Sequence, residues 1–198
     1  MVKVVYNDAL KAEYRHMFSI CAIKASRRPF VNMALRKIMD GELRYLEIAN
    51  QYAMPWIFLG CIHLMESGCN FNRQLHNGDS LNSRTIHVPK GRPPLPLLPP
   101  FTFEQSAKDA LDLFGFDKWK DWTIEGILWS MEKWNGLGYR QYHPNVKSPY
   151  LWAATSLYTK GKYVSDTKFS PNAVSQQIGI AAILQLAIQT NVWKPIPG

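Results

Sequence analysis

Glu66, Asp79 and Thr85 follow one another at gaps of twelve and five residues. Glu66 closes the apolar run WIFLGCIHLME, beside Ile62 and Met65. On a helix it would sit in the last turn, near the negative end of the helix dipole. Desolvation and that dipole both disfavour the anion, so a protonated carboxyl is expected. A carboxyl that keeps its proton near neutral pH can donate it to a leaving glycosidic oxygen. Asp79 lies in the polar turn His76-Asn77-Gly78-Asp79, where a wet, hydrogen-bonded setting would keep it ionised. Glycoside cleavage uses this division of labour, one acid and one carboxylate flanking the bond. Thr85 offers a hydroxyl that could hold a water. Plainer readings stand beside these: Glu66 reaching solvent as its helix ends, and Asn-Gly-Asp as an ordinary turn.

A second cluster, Trp134-Asn135-Gly136-Leu137-Gly138-Tyr139-Arg140, suits a sugar ligand. Glycines admit close backbone approach, while Asn135 and Tyr139 offer an amide, a hydroxyl and a ring face. Tyr150, Trp152 and Tyr158 could add stacking surface, and core packing is the competing reading for each. His76 joins the set as a polar ring in the turn before Asp79. Cys61-x-His63 and Cys69 have poor metal-ligand spacing, because positions two apart on a helix face different ways. No metal or cofactor is expected. The chain has no Gly-x-Ser-x-Gly elbow, and Gly136-x-Gly138 lacks the rest of a dinucleotide loop.

Helices must position most of these groups. Asn7 predicts an N-cap for a helix running to about Ser26, with Leu10, Tyr14, Met17, Phe18, Cys21 and Ala25 on one face. Further helices are expected over Phe30 to Met39, from Leu43 to about Ala53, and after Pro55 as far as Gly68. Residues 70–90 read as a small β-hairpin, with RTIHV as a strand-like run. The proline-rich stretch Gly91 to Pro100 reads as an ordered surface connection, with an SH3-type recognition motif as the alternative. Thr102-x-x-Gln105 predicts a capping box and a helix with Ala107, Ala110, Leu111 and Phe114 on one face. Trp122 to Trp134 predicts another, closed by Gly136. Ser148-Pro149 and Ser170-Pro171 each predict a helix start, the first running through Tyr158 and the second opening the final helix. The expected class is α+β, mostly helical, as a single domain over residues 1–198.

Bulk properties bound the function. The 198 residues are 46% apolar and 13% aromatic, a globular composition, and 23 basic against 15 acidic residues give a net charge of +8. Such a charge favours polyanionic partners: nucleic acid, an anionic membrane surface or a bacterial wall. The basic residues are scattered and match no nucleic-acid-binding motif, so a specific nucleic-acid partner is not expected. The longest apolar run, Ile178 to Ile188, is too short to span a bilayer. Three cysteines are too few for a disulfide framework.

The runs IHLMESGCNFNRQLHNGDSLNSRTIHVPKGRP, WNGLGYRQYHPNVKSPYLWAATSLYTKGKY and FSPNAVSQQIG resemble phage endolysins and related lysozyme-family proteins. The trio Glu66, Asp79, Thr85 resembles the Glu–Asp–Thr set of phage-type lysozymes, with a Glu-to-Asp gap wider by several residues. The resemblance covers roughly residues 30 to 190. It implies a lysozyme-like fold and cleavage of the β-1,4 glycan of peptidoglycan; a monomer is expected. Under it Glu66, Asp79 and Thr85 act catalytically, while His76, Asn135, Tyr139, Tyr150 and Tyr158 contact the strand. A lytic transglycosylase, a chitinase- or chitosanase-like enzyme and a basic nucleic-acid-binding module remain the alternatives. The opening residues lack the charged stretch and apolar core of a secretory signal, so a cytoplasmic location until release to the wall is expected.

Overall fold

Local capping chemistry sets several of the helix starts. In this computed structural model, which describes residues 4–165 and 167–197, the Asn7 side chain accepts a bond from the Leu10 amide and opens α1 (Asp8–Ile20). Then come α2 (Arg28–Met39), α3 (Glu42–Tyr52) and α4 (Trp56–Ser67). Thr102 and Gln105 make both bonds of a capping box ahead of α5 (Phe103–Leu113), and Thr123 caps α6 (Ile124–Asn135). Two short helices follow, α7 (Gly138–Tyr142) and α8 (Pro149–Trp152). Next β1 (Lys162–Ser165) pairs antiparallel with β2 (Lys168–Ser170), and α9 (Ile180–Gln189) comes last. The described residues are mostly helical with one small antiparallel sheet, which is the α+β class expected.

The chain divides into two compact units: residues up to Leu35 together with those from Asp121 onward, and Arg36–Lys120. In the first unit α1 packs on α6, and α6 meets α8 and α9. Tyr14, Ile127, Leu128, Met131, Leu151, Trp152 and Ile183 fill its core. In the second unit α3 packs on α4 and α5. Every residue of α4 from Trp56 to His63 is buried, as its nearly unbroken apolar sequence predicts. Each fully buried Ile, Leu or Phe there contributes roughly 1.5–3 kcal/mol of transfer free energy. No helix among the described residues is long and apolar enough to cross a membrane.

Four sequence expectations need correction. The β element is at 162–170, not at 70–90, where a single isolated bridge joins Arg73 and Ser80. Side chains do the work of a ladder there: the Gln74 amide donates to the Ser80 and Ser83 carbonyls, and Asp79 accepts from the Ile86 and His87 amides. α1 stops at Ile20, not near Ser26, because Ile23 bridges Thr155. The same pairing ends α8 after one turn, short of Tyr158, with Ser156 N donating to the Ala22 carbonyl and Lys24 N to the Ala154 carbonyl. The final helix starts at Ile180, since Ser170 belongs to β2 and Ser175 N donates to the Tyr158 hydroxyl.

One buried ring gives α4 a pH signature. His63 is fully buried, with Nδ1 2.8 Å from the Tyr45 hydroxyl and its ring centre 4.3 Å from that of Phe103. Burial disfavours the imidazolium, outweighing a bond to the Asn70 backbone, and lowers the pKa to about 4. The folded chain therefore binds this proton less readily than the unfolded chain, whose histidine titrates near 6.5. The stabilisation is complete above pH ~6.5 and is lost as pH falls to about 4, on the order of 3 kcal/mol. Urea denaturation between pH 4 and 7 should show stability rising with pH, with a flatter slope in His63→Gln. An unchanged slope in that variant would assign the effect to other groups.

Candidate active site

Glu66 is half-buried in the last turn of α4, which ends because Gly68 adopts a left-handed conformation (φ +66°). The chain then returns through the turn that carries Asp79. Gly78 N donates to the Gln74 carbonyl, and Gln74 N donates to the Asp79 carbonyl at 2.7 Å. Gly78 has φ +75°, and a Cβ there would lie 2.5 Å from the carbonyl oxygen of Glu66. Only glycine lets this turn press onto the end of α4. The close approach brings the turn carrying Asp79 against the residue expected to be the acid.

Asp79 is held tightly. Its Oδ2 accepts from the Ile86 and His87 amides at 2.8 and 3.1 Å, and its Oδ1 lies 2.7 Å from His87 Nδ1. Burial acts to raise its pKa, but the His87 ring and the two amides outweigh it and hold the carboxyl below the ordinary range. It is an anion, as the turn context predicts.

Thr85 and His76 depart from their expected roles. The Thr85 residue is buried; its hydroxyl donates to the Pro89 carbonyl and accepts from Arg92 N at 2.9 Å. Those two bonds clasp the 85–92 loop, so the hydroxyl serves the loop instead of a water. The His76 side chain is 0% exposed, with Nε2 2.8 Å from Asp109 Oδ2 and Nδ1 3.2 Å from Ser106 Oγ. Both ring nitrogens are engaged inside the second unit, and a strand cannot contact a ring without exposed surface. The order Ser106–His76–Asp109 imitates a nucleophilic triad. Ser106 is itself fully buried and accepts from Leu75 N, while Arg92 pairs with Asp109. The cluster ties the 74–92 segment to α5.

The expected sugar contacts lie in the first unit, where Asn135, Tyr139 and Tyr150 line a cavity of about 480 Å³. Each arrives from a different element: the end of α6, α7 and α8. Tyr139 is buried, and its hydroxyl accepts from Tyr163 N at 3.2 Å, which fixes α7 against β1. Burial raises the Tyr139 pKa against the effect of that amide, so the phenol keeps its proton. Tyr158 does not line the cavity. Its buried hydroxyl accepts from Ser175 N at 3.0 Å and donates to the Gly161 carbonyl at 3.2 Å, positioning Ser175, which does line it.

Sequence reasoning missed Lys162, Tyr163 and Gln177 on the same wall. The signal was available as two short runs, Lys162-Tyr163-Val164-Ser165 and Lys168-Phe169-Ser170, separated by two residues. Tyr163 and Phe169 are register partners with ring centres 5.5 Å apart. Elsewhere burial raises the Cys61 thiol pKa and pushes that of Cys69 up to about 11, so both remain thiols. Among the described residues no group of three or more His, Cys, Asp or Glu is placed to hold a metal ion. No protein-family model, curated protein or solved structure matches the chain.

Proposed function

We propose that the chain is a lysozyme-like enzyme that cleaves the β-1,4 bond between N-acetylmuramic acid and N-acetylglucosamine in peptidoglycan. The observation that carries this reading is the packing of the Asp79 turn onto the carbonyl of Glu66, through a glycine that nothing larger could replace. Glu66 donates its proton to the leaving O4 as the C1–O4 bond breaks, and positive charge develops on C1 and the ring oxygen. Asp79, held as an anion by three donors, stabilises that charge electrostatically. A water then attacks C1 in the hydrolytic outcome. The tyrosine-lined cavity of the first unit takes saccharide, and the net charge of +8 draws the protein to an anionic wall, so that activity falls with added salt.

A second outcome is favoured by one finding. The Thr85 hydroxyl is spent on its own loop, and both Asp79 oxygens already accept bonds, which leaves little to orient a water. A lytic transglycosylase needs no water: Glu66 would take the proton of the muramyl C6 hydroxyl, which closes on C1 as an anhydro ring. Digestion of purified peptidoglycan followed by borohydride reduction and mass spectrometry separates the two. Reducible ends mean hydrolysis and anhydro ends mean transglycosylation. No soluble fragments at any enzyme level would overturn the proposal.

A further inference from the structure

The net charge is not spread evenly over the chain. The first unit holds 13 basic and 6 acidic residues and the second 10 and 9, so seven of the eight surplus charges belong to the first. Between Glu13 and Asp40 the chain has no Asp or Glu, and after Glu132 it has only Asp166. Residues from these two acid-poor stretches, Lys24 and Arg27 from one and Tyr158, Ser175 and Gln176 from the other, line a cavity of about 220 Å³ in the first unit. Both cations are half-buried and are held by neutral oxygens. Lys24 Nζ donates to the Tyr158 carbonyl at 2.6 Å. Arg27 Nη1 donates to Gln176 Oε1 at 2.9 Å, its Nη2 donates to the Gln176 carbonyl, and its guanidinium carbon lies 5.0 Å from the centre of the Phe30 ring. These oxygens fix both charged heads without neutralising them, and neither cation makes an ion pair among the described residues. The cavity lined by Arg140 and Lys147 is the opposite case, because Glu13 and Glu132 line it too and pair with both cations.

We infer that the cavity lined by Lys24 and Arg27 is an anion site that takes a phosphate group. Two like charges on one cavity repel each other, and a bound dianion removes that cost. A phosphate monoester carries a charge of about −1.5 to −2 at neutral pH and three acceptor oxygens, whereas a carboxylate brings one charge and two oxygens. Lys24 spends one of its three N–H donors on Tyr158 and Arg27 two of its five on Gln176, so donors remain on both. Ser26 and Ser175 add hydroxyls to the wall. The volume lies below the roughly 300–1,000 Å³ of pockets that take drug-sized ligands, which suits one charged group on a short alcohol. The site belongs to the first unit, whereas Glu66 and Asp79 belong to the second, and it stands whether or not the chain cleaves glycan.

The test titrates the full chain with glycerol 3-phosphate, acetate and glycerol, followed by amide NMR. Sedimentation with vesicles of pure phosphatidylglycerol or pure phosphatidylcholine accompanies it. Glycerol 3-phosphate should shift the Ser26, Arg27 and Gln176 amides, and glycerol should not. Lys24→Gln and Arg27→Gln keep a side-chain amide donor for the carbonyls that the cations hold, and each should weaken binding about tenfold. Lys133→Gln, which removes an exposed charge from α6 of the same unit, should leave binding unchanged. Sedimentation by phosphatidylglycerol alone, abolished in both cavity variants, makes the recognised phosphate that of a lipid headgroup. No sedimentation makes it that of a soluble ligand. Acetate binding as tightly as glycerol 3-phosphate would overturn the choice of phosphate. Equal weakening by Lys133→Gln would assign the binding to diffuse charge and overturn the site, as would the absence of shifts at all three amides with glycerol 3-phosphate.

Discussion

Glu66→Gln should lower the rate of glycan cleavage by about 10²–10⁴-fold while leaving the protein folded. The amide has nearly the shape of the carboxyl but carries no acidic proton, so O4 must leave as an alkoxide or take its proton from water. Stability should not fall with activity. The stretch of α4 that is buried throughout ends at His63, and Glu66 is half-buried one turn later. A carboxylate in the last turn also opposes the helix dipole, so its neutral replacement should be stabilising by about 0.3–1 kcal/mol where the acid is ionised. Opposite signs for activity and stability are the signature of a catalytic group kept in an unfavourable place. Release of soluble fragments and a thermal melt on the same preparation give both numbers. Lysis by Glu66→Gln within tenfold of wild type would remove Glu66 from the chemistry. A large fall in melting temperature would instead make the lost activity a folding defect.

What the sequence disclosed follows the range of the forces involved. Asn7, Gly68, Gly136 and the Thr102–Gln105 box act within a turn of helix, so their residue types state their roles without help from the rest of the chain. The early ends of α1 and α8 could not be read in this way. They are set by pairing of residues 22–24 with 154–156, more than a hundred positions apart, and that pairing outcompetes local helix preference. His76 misled for a related reason: a histidine beside Asn-Gly reads as exposed, and only Asp109 and Ser106 on α5 show that it is interior. Leu43, the apolar residue from which the third helix is expected to run, is 82% exposed, because Tyr45, Ile48 and Ala49 define the buried face.

The candidate sites divide along the same line. Asn135, Tyr139 and Tyr150 were singled out together by residue type and do line one cavity, yet its wall is completed by a hairpin that the sequence reading placed elsewhere in the chain. Asp79 was legible as an anion, and Glu66 as a carboxyl in the last turn of its helix. That their segments touch depends on Gly78, whose role in the sequence is only that of a turn residue.

Arg140→Met should destabilise the first unit by about 3–5 kcal/mol, the usual cost of leaving a buried charge without its partner. The Glu132 side chain is 4% exposed, and its Oε2 accepts both from Arg140 Nε at 2.6 Å and from the Tyr14 hydroxyl. Arg140 also reaches Glu13 at 3.1 Å and lies over the Tyr14 ring, 4.7 Å from its centre. Burial would lower the pKa of this guanidinium, but Glu132 and Tyr14 reverse the sign and raise it, so the guanidinium stays charged. Removing the cation leaves the carboxylate with one phenolic donor and no compensating charge. The double variant Arg140→Met, Glu132→Gln should recover at least half of the loss, because the amide oxygen still accepts from Tyr14 and no buried charge remains. Urea unfolding followed by tryptophan fluorescence measures both, since Trp129, Trp134 and Trp152 lie in this unit. If the double variant is less stable than Arg140→Met alone, the loss comes from packing of the arginine stem and not from the orphaned charge.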